Sequence, residues 1–206
     1  MGFLDRLMTP GGIAVDVGAN WGIYSYALAR RASRVHCIEP LAECCAYIRA
    51  FPCDGITVHN CALSDAAGKL ELHIPTILGR PKWTRASLER PAGDFETRRI
   101  DVRTLDSFEL SWVDFIKIDV EGLEAAVLRG AGTTLERHRP CLLVEIDRAR
   151  HSQQSFGEVI EWLRTRAYEP YVVDSGGLRH SADPWADAAS HFNFIFPRSR
   201  HGMQRP

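Results

Sequence analysis

The sequence predicts an α/β domain built on a doubly wound, mostly parallel sheet of seven strands, with a small β insertion and a long loop before the fourth core strand. Three observations point there. Short apolar runs alternate with stretches of helical length, the mark of βαβ units and a parallel sheet. The first run, Ile-Ala-Val-Asp-Val at 13–17, breaks into a glycine-bearing turn that leads into a helix. The alternation then lapses between residues 68 and 105 and resumes afterwards.

Residues 13–17 are the first strand and 23–31 the first helix; 34–39 and 41–51 repeat the unit, and 56–60 give a third strand. "GKLELHI" (68–74) and "TRRIDVRTL" (97–105) alternate polar and apolar residues, as half-exposed strands do. Between them the segment 75–96 carries Pro75, Gly79, Pro81, Pro91 and Gly93 and reads as a long loop bordering the substrate. Its Trp83, Arg85 and Ser87 either grip a sugar ring or an acidic acceptor or stay solvated. "VDFIKIDV" (113–120) is a strand, 123–130 a helix and "CLLVEI" (141–146) a further strand. Ser155-Phe-Gly-Glu158 has capping-box spacing, with Phe156, Val159, Ile160 and Leu163 on one apolar face. "YEPYVVD" and "HFNFIFP" are the last two strands, the final one joined antiparallel.

The chain has 206 residues, a length suited to a single domain over 1–206, with a core at about 11–198 and a flexible tail over 199–206. A formal charge of −1 gives no reason to expect nucleic acid or an anionic membrane as partner. No apolar run approaches the roughly 18–20 residues of a membrane helix, and "MGFLDRLMTP" has no secretory pattern. The six cysteines show no C-x-x-C pair, which fits reduced thiols and a cytoplasmic protein.

The turn Asp16-Val-Gly18-Ala-Asn20-Trp-Gly22 decides the ligand. A dinucleotide enzyme places G-x-G-x-x-G here, so that a pyrophosphate can sit on the helix N-terminus. This chain has Asp16 at the first glycine, a charge that repels a diphosphate and attracts a cation. S-adenosylmethionine carries an ammonium and a sulfonium and no phosphate, so Asp16 suits it. Gly18 lets backbone approach the ligand, and Gly22 lets the helix pack close to the strand. Glu39 closes the second strand, where a carboxylate can accept both hydroxyls of a ribose; a solvated charge before Pro40 is the alternative.

"VDVGANWGIYSYALAR", "NCALSDAAGKLEL", "VRTLDSF", "VDFIKIDVEGLEAAVLRGAGTTLERHRPCLLVEI" and "HFNFIFPR" together resemble the FkbM family of S-adenosylmethionine-dependent methyltransferases, over about residues 13–198. The resemblance implies a class I methyltransferase fold and methyl transfer, often to a hydroxyl of a small metabolite or sugar. It implies that Asp16, Gly18, Asn20 and Gly22, with Ala19, line the methionine end of the cofactor. Glu39, beside Pro40, would hold the ribose. Ala62, Leu63 and Ser64 would lie near the adenine, with Asp65 a partner for its exocyclic amine. Many relatives have a helical segment before the first strand; only about a dozen residues precede it here, which raises the expectation of a homodimer whose partner covers the site.

Methyl transfer is an in-line displacement, in which alignment contributes roughly 7–11 kcal/mol, and an alcohol acceptor also needs a general base. Asp119, Glu121 and Glu124 follow the fourth core strand and Glu145 ends the fifth. Asp119, also counted as a cofactor contact, is the residue expected nearest the methyl and the acceptor. Glu121 or Glu145 would orient the substrate or share the proton, while Glu124 reads as a helix N-terminal charge. Oxygen ligands of this kind can hold Mg²⁺, but the resemblance calls for no metal and none is assigned. Lys117, inside an apolar strand, must pair, with Glu145 or Asp16 as candidates. His191, on the last strand near Asn193, is a second candidate base or a structural histidine. The competing readings are an NAD-linked oxidoreductase, which Asp16 opposes, and a non-catalytic cofactor-binding relative.

Overall fold

The structure is a computed structural model and describes residues 7–88 and 90–198. The tail expected over 199–206 lies outside the described residues, as does the side chain of Arg85. The first half of the chain lays down β1 (Ile13–Val17), α1 (Ile23–Ala29), β2 (Arg34–Ile38), α2 (Ala42–Ala50) and β3 (Ile56–His59). The middle forms β4 (Ala62–Leu63), β5 (Gly68–Ile77), β6 (Arg80–Pro81) and β7 (Phe95–Arg103). The remainder supplies β8 (Phe115–Ile118), α3 (Glu124–Arg129), α4 (Gly132–His138), β9 (Cys141–Glu145) and α5 (Gln153–Arg164), then β10 (Tyr171–Asp174), β11 (Gly177–His180), α6 (Pro184–Asp187) and β12 (Asn193–Phe196).

The main sheet has eight strands, not seven, in the order β3-β2-β1-β8-β9-β12-β10-β11. From β3 to β9 all pairs are parallel. β12 is inserted between β9 and β10 and runs antiparallel to both. The extra strand is β11, which folds back on β10 from Tyr171–His180 to Asp174–Gly177. Gly177, at φ +110°, supplies the left-handed turn, and Asp174 accepts from the Gly176 N–H at 2.8 Å. β11 lies at the sheet edge with Leu178, Arg179 and His180 exposed, so no apolar pattern announces it.

The "small β insertion" is a separate sheet of order β4-β7-β5-β6, its long β5–β7 pair antiparallel. Leu72 and Ile74 of β5 and Ile100 of β7 pack with Leu41 and Cys44 at the start of α2. That contact carries the loop after β6 towards the carboxyl edge of the main sheet. The segment expected as bare loop is thereby partly structured, by β6 and a 3₁₀ turn at Trp83–Arg85.

The parallel strands are buried on both faces. Val15, Val17, Ile116, Ile118, Leu142 and Val144 pack with Val127, Leu135, Phe156 and Leu163 of α3, α4 and α5. Ala14, Phe115 and Leu143 face the other way, against Leu28 of α1. By strand alternation Asp16 and Lys117 belong to the α1 face. Five of the six cysteines are buried and all six are free thiols. Asp106, from "VRTLDSF", accepts from the Thr133 and Thr134 N–H groups at 2.8 Å each and so holds the start of α4.

The helix cap of α5 differs from the expected box. The cap is Ser152, whose Oγ accepts from the Ser155 N–H at 3.1 Å. Ser155 is already inside the helix, and Glu158 accepts from Gln154 instead of closing a box. The expected apolar face is buried as drawn, through Phe156, Val159, Ile160 and Leu163. Ser152→Ala should therefore cost about 1 kcal/mol in urea unfolding, a typical loss for a helix cap. Ser155→Ala, which keeps the capped N–H, should cost less; the reverse order would place the cap at Ser155.

Candidate active site

The parallel order β9-β8-β1-β2 brings four strand ends together at one edge: Val17, Ile38, Ile118 and Glu145. Chain direction away from the centre reverses between β1 and β8, the switch point at which α/β sheets bind ligands. A cleft of about 280 Å³ opens there, lined by Gly18, Asn20, Glu39, Leu41, Trp83, Thr84, Ala86, Asp119, Val120, Glu121 and Glu145.

Gly18 and Asn20 shape its floor. Gly18 has φ +74°, and a Cβ there would stand 1.8 Å from the Asp119 carbonyl oxygen, so the β1 and β8 turns touch through a position that admits no side chain. Asn20 is also left-handed at φ 50°, and its N–H donates to Glu39 Oε2 at 2.8 Å. The Leu41 N–H donates to Glu39 Oε1 at 2.8 Å. Glu39 is thus clamped between the β1 and β2 turns with one backbone donor on each oxygen. A carboxylate has about four lone-pair sites, so accepting capacity remains for a ligand. Burial pushes its pKa up to about 7, against the lowering effect of the Leu41 and Asn20 donors.

Behind the cleft lies a buried charge cluster. Asp16 is 0% exposed and accepts from Ser25 Oγ of α1 at 2.6 Å. Lys117 Nζ stands 3.6 Å from Asp16 Oδ1 and 3.0 Å from Asp119 Oδ2, and Nζ sits 4.7 Å from the Tyr24 ring centroid. Burial alone would lower the lysine's pKa; Asp16 and Asp119 outweigh it and hold the ammonium charged above its ordinary value. Its partners are therefore Asp16 and Asp119; Glu145 makes no ion pair with it. Asp119 Oδ1 has no hydrogen-bond partner among the described residues.

The next turn is strapped to the segment after β9. Glu121, at φ 56°, pairs with Arg150, and Glu124 accepts from the Gly122 N–H and pairs with His151 Nε2 at 2.9 Å. Glu124 is buried with these partners as well as being the first residue of α3. Burial raises the pKa of both Glu121 and Glu145; Arg150 opposes the rise at Glu121, and the Asp119 charge adds to it at Glu145.

The cleft gathers Gly18, Asn20, Glu39, Asp119, Glu121 and Glu145 from the residues expected in it, with Asp16 directly behind. Others lie elsewhere. Ala19 packs inward with Cys37 and Ile48, and Gly22 begins α1 against Ile48. The Pro40 carbonyl accepts from Asn60 Nδ2 at 2.9 Å. Ala62 sits in the apolar cluster beneath Leu41, Leu63 lies in the main core, and the Ser64 carbonyl abuts Gly130. Asp65 is paired with Arg129 at 2.9 Å. His191 is held at α6, its Nδ1 3.0 Å from Ser190 Oγ and 3.2 Å from the Asp187 carbonyl, and is not part of the cleft wall. Leu41, Thr84, Ala86 and Val120 were not legible as lining residues, because their side chains carry no chemical signal. Among the described residues no three His, Cys, Asp or Glu side chains gather as a metal site, and no helix is long and apolar enough to cross a membrane.

The cleft is acidic and stands at the switch point of a doubly wound α/β sheet. The match to the Methyltransferase FkbM domain runs over residues 16–170, and the chain belongs to that family. Among solved structures it is similar to methyltransferase FkbM from Methylobacillus flagellatus KT, at TM-score 0.59 and 21% identity, over 90% of this chain and 43% of that one. The chain thus spans less than half the length of that relative. It is similar in fold to a TehB-like SAM-dependent methyltransferase from Corynebacterium glutamicum (TM-score 0.53, 13% identity, 96% and 86% of the two chains). A Streptococcus mutans protein described as a methyltransferase and solved in complex with SAH gives TM-score 0.54 at 8% identity, over 96% and 94%. No curated protein matches the chain.

Proposed function

We propose that the chain is an S-adenosylmethionine-dependent O-methyltransferase acting on a hydroxyl of a small metabolite or sugar. The observation that carries the reading is the acidic edge itself: Asp16 lies behind Gly18 and Asp119 beside it, where a dinucleotide fold would hold a diphosphate, and Glu39, fixed by the Asn20 and Leu41 N–H groups, faces the same cleft. The residues present fit an adenosine ligand bearing positive charge. Glu39 retains accepting capacity for ribose hydroxyls, and Asp119, Glu121 and Glu145 make the opposite wall acidic. Membership of the FkbM family and the SAH complex of the Streptococcus mutans protein support the same cofactor.

S-adenosylmethionine, when bound, supplies a methyl group on a sulfonium centre. Asp119 is held by Lys117 through Oδ2, which leaves Oδ1 free to accept a hydrogen bond from the acceptor hydroxyl. Oδ1 would thereby take the proton that an acceptor hydroxyl held there gives up on methylation, the methyl–sulfur bond breaking and S-adenosylhomocysteine leaving as the other product. Glu145 orients the acceptor, and Arg150 keeps Glu121 in place. Trp83 and Leu41 give the cleft part of its apolar lining.

Calorimetric titration with S-adenosylhomocysteine and with NAD tests the reading; binding of NAD alone overturns it. The pH dependence is specific. Glu39 in the free protein is largely protonated below about pH 7 and charged above it, and the charged form is the better acceptor of hydroxyl donors. S-adenosylhomocysteine affinity should therefore rise from pH 6 to pH 8 with release of a proton on binding, and Glu39→Gln should remove the dependence. Flat affinity over that window argues against Glu39 as the ribose anchor.

A further inference from the structure

We propose that the β5–β6 hairpin is a peripheral anchor whose tip enters the surface of a bilayer carrying anionic lipid. The inference goes beyond the methyltransferase reading and does not depend on it. Ile77 pairs with Arg80 across a two-residue loop, Leu78-Gly79, whose residues are both left-handed at φ 52° and 70°. Such loops ordinarily take Asn-Gly or Asp-Gly, because few other side chains tolerate that backbone. Here the place is held by a leucine, 97% exposed, beside Ile77 at 45%. The turn therefore presents two aliphatic side chains to solvent, one of them on a backbone that disfavours it, and neither joins the core of this sheet.

The charges around the tip point to its partner. From residue 72 to residue 88 the sequence holds Arg80, Lys82 and Arg85 and no Asp or Glu. Arg80 and Lys82 are exposed and pair with no acid among the described residues. The ladder brings in Asp94 only at the base of the hairpin, where its carbonyl accepts from the Thr76 N–H at 2.8 Å. An aliphatic tip with cations just behind it matches the bilayer interface, where apolar side chains reach below the headgroups and Lys or Arg heads meet phosphate. The chain's formal charge of −1 averages over this segment, which is why it gave no reason to expect an anionic membrane.

A protein partner fits the same features less well. β6 is an edge strand of the second sheet, and Pro81 removes a donor from it, so an added strand meets a broken ladder. Docking at the interface needs no membrane-crossing helix, and none is found among the described residues. The tip is also tied to the cleft. The Lys82 N–H donates to the Pro75 carbonyl at 2.8 Å and closes the hairpin, and Trp83 of the cleft wall follows directly. From Gly79 to Trp83 the chain spans at most about 14 Å even when extended. A bilayer holding Leu78 therefore stands beside the candidate active site.

The test is co-sedimentation of the full chain with vesicles at low salt, phosphatidylcholine alone against equal parts phosphatidylcholine and phosphatidylglycerol. Binding should be reversible, should favour the anionic vesicles at about millimolar lipid, and should weaken in about 0.5 M salt through screening. Leu78→Asn should weaken it about tenfold or more, the loss of one aliphatic side chain from the bilayer. The same variant should melt no lower than wild type, since Asn accepts the left-handed backbone better than Leu. Arg80→Ser with Lys82→Ser should weaken binding about 25-fold, roughly fivefold for each cation near an anionic surface. Equal binding to both vesicle types overturns the inference, as does no binding at low salt or wild-type binding by Leu78→Asn. A dimer that Leu78→Asn disperses, with no vesicle binding, assigns the tip to a second copy and overturns it too. None of these outcomes bears on the methyltransferase reading, whose own test is S-adenosylhomocysteine binding.

Discussion

Lys117→Met should lower the unfolding free energy by about 3–5 kcal/mol, the usual cost of removing one partner from a buried ion pair. Methionine keeps the volume and the apolar stem, so packing against Tyr24 changes little and the loss reports charge. Its origin is Asp16, fully buried and left with only the Ser25 hydroxyl. A carboxylate in that position is far costlier without the lysine than either residue is with it. Should the single variant accumulate too little folded protein for urea titration, the double variant Asp16→Asn with Lys117→Met is the decisive measurement. It removes both charges and should recover most of the loss. A single variant within 1 kcal/mol of wild type, or a double variant no better than the single, overturns the assignment. The wild-type pair also predicts a pH limit. Lys117 is held above its unfolded value of 10.5, so its contribution is complete below that pH and is lost as pH rises through the higher folded value.

The same residue shows what the sequence could and could not reveal. That Lys117 must pair followed from a charge inside "FIKI", a run buried on both faces; Asp119 was not among the expected partners, although residues i and i+2 lie on one face of an extended chain. The parallel half of the sheet was legible because each strand is an apolar run followed by a helix. β12 was legible as a strand but not as the neighbour of both β9 and β10, since antiparallel partners are chosen by packing and not by local pattern. Asp16, Gly18 and Glu39 could be read because backbone sterics and charge leave a signature in residue type. Of the segment expected on the adenine side, Leu63 packs in the main core and the Ser64 carbonyl lies against Gly130. His191 illustrates the usual competition, in which a nearby hydroxyl and carbonyl hold an imidazole before any cleft does. Trp83 was visible as an aromatic in a loop; its arrival at the cleft depends on the second sheet docking on α2, a contact between residues 41–44 and 72–100 that no local pattern encodes.

Asp119→Asn should lower the rate of methyl transfer by about 10²–10⁴, the range set by loss of a positioned general base. The amide keeps the shape of the carboxylate, and Lys117 keeps Asp16, so folding stability and S-adenosylhomocysteine affinity should change little by comparison. That separation distinguishes a proton acceptor from a structural acid. A residue that merely anchored the turn would show its loss in stability, and one that served the cofactor alone would show it in affinity. The rate is read as transfer of label from S-adenosylmethionine into an acceptor-containing extract, at saturating cofactor and at several pH values. Wild type should need the free Asp119 oxygen to take the hydroxyl proton; the variant has none, so raising the pH should recover part of its rate as the acceptor itself begins to ionise. A variant with wild-type rate would move the proton to Glu145, the other unengaged carboxylate of the wall. Glu145→Gln would then carry the kinetic loss that Asp119→Asn did not. The two substitutions therefore divide the labour of the cleft between a residue that receives the proton and a residue that holds the acceptor, and measured rate against measured acceptor affinity tells which is which.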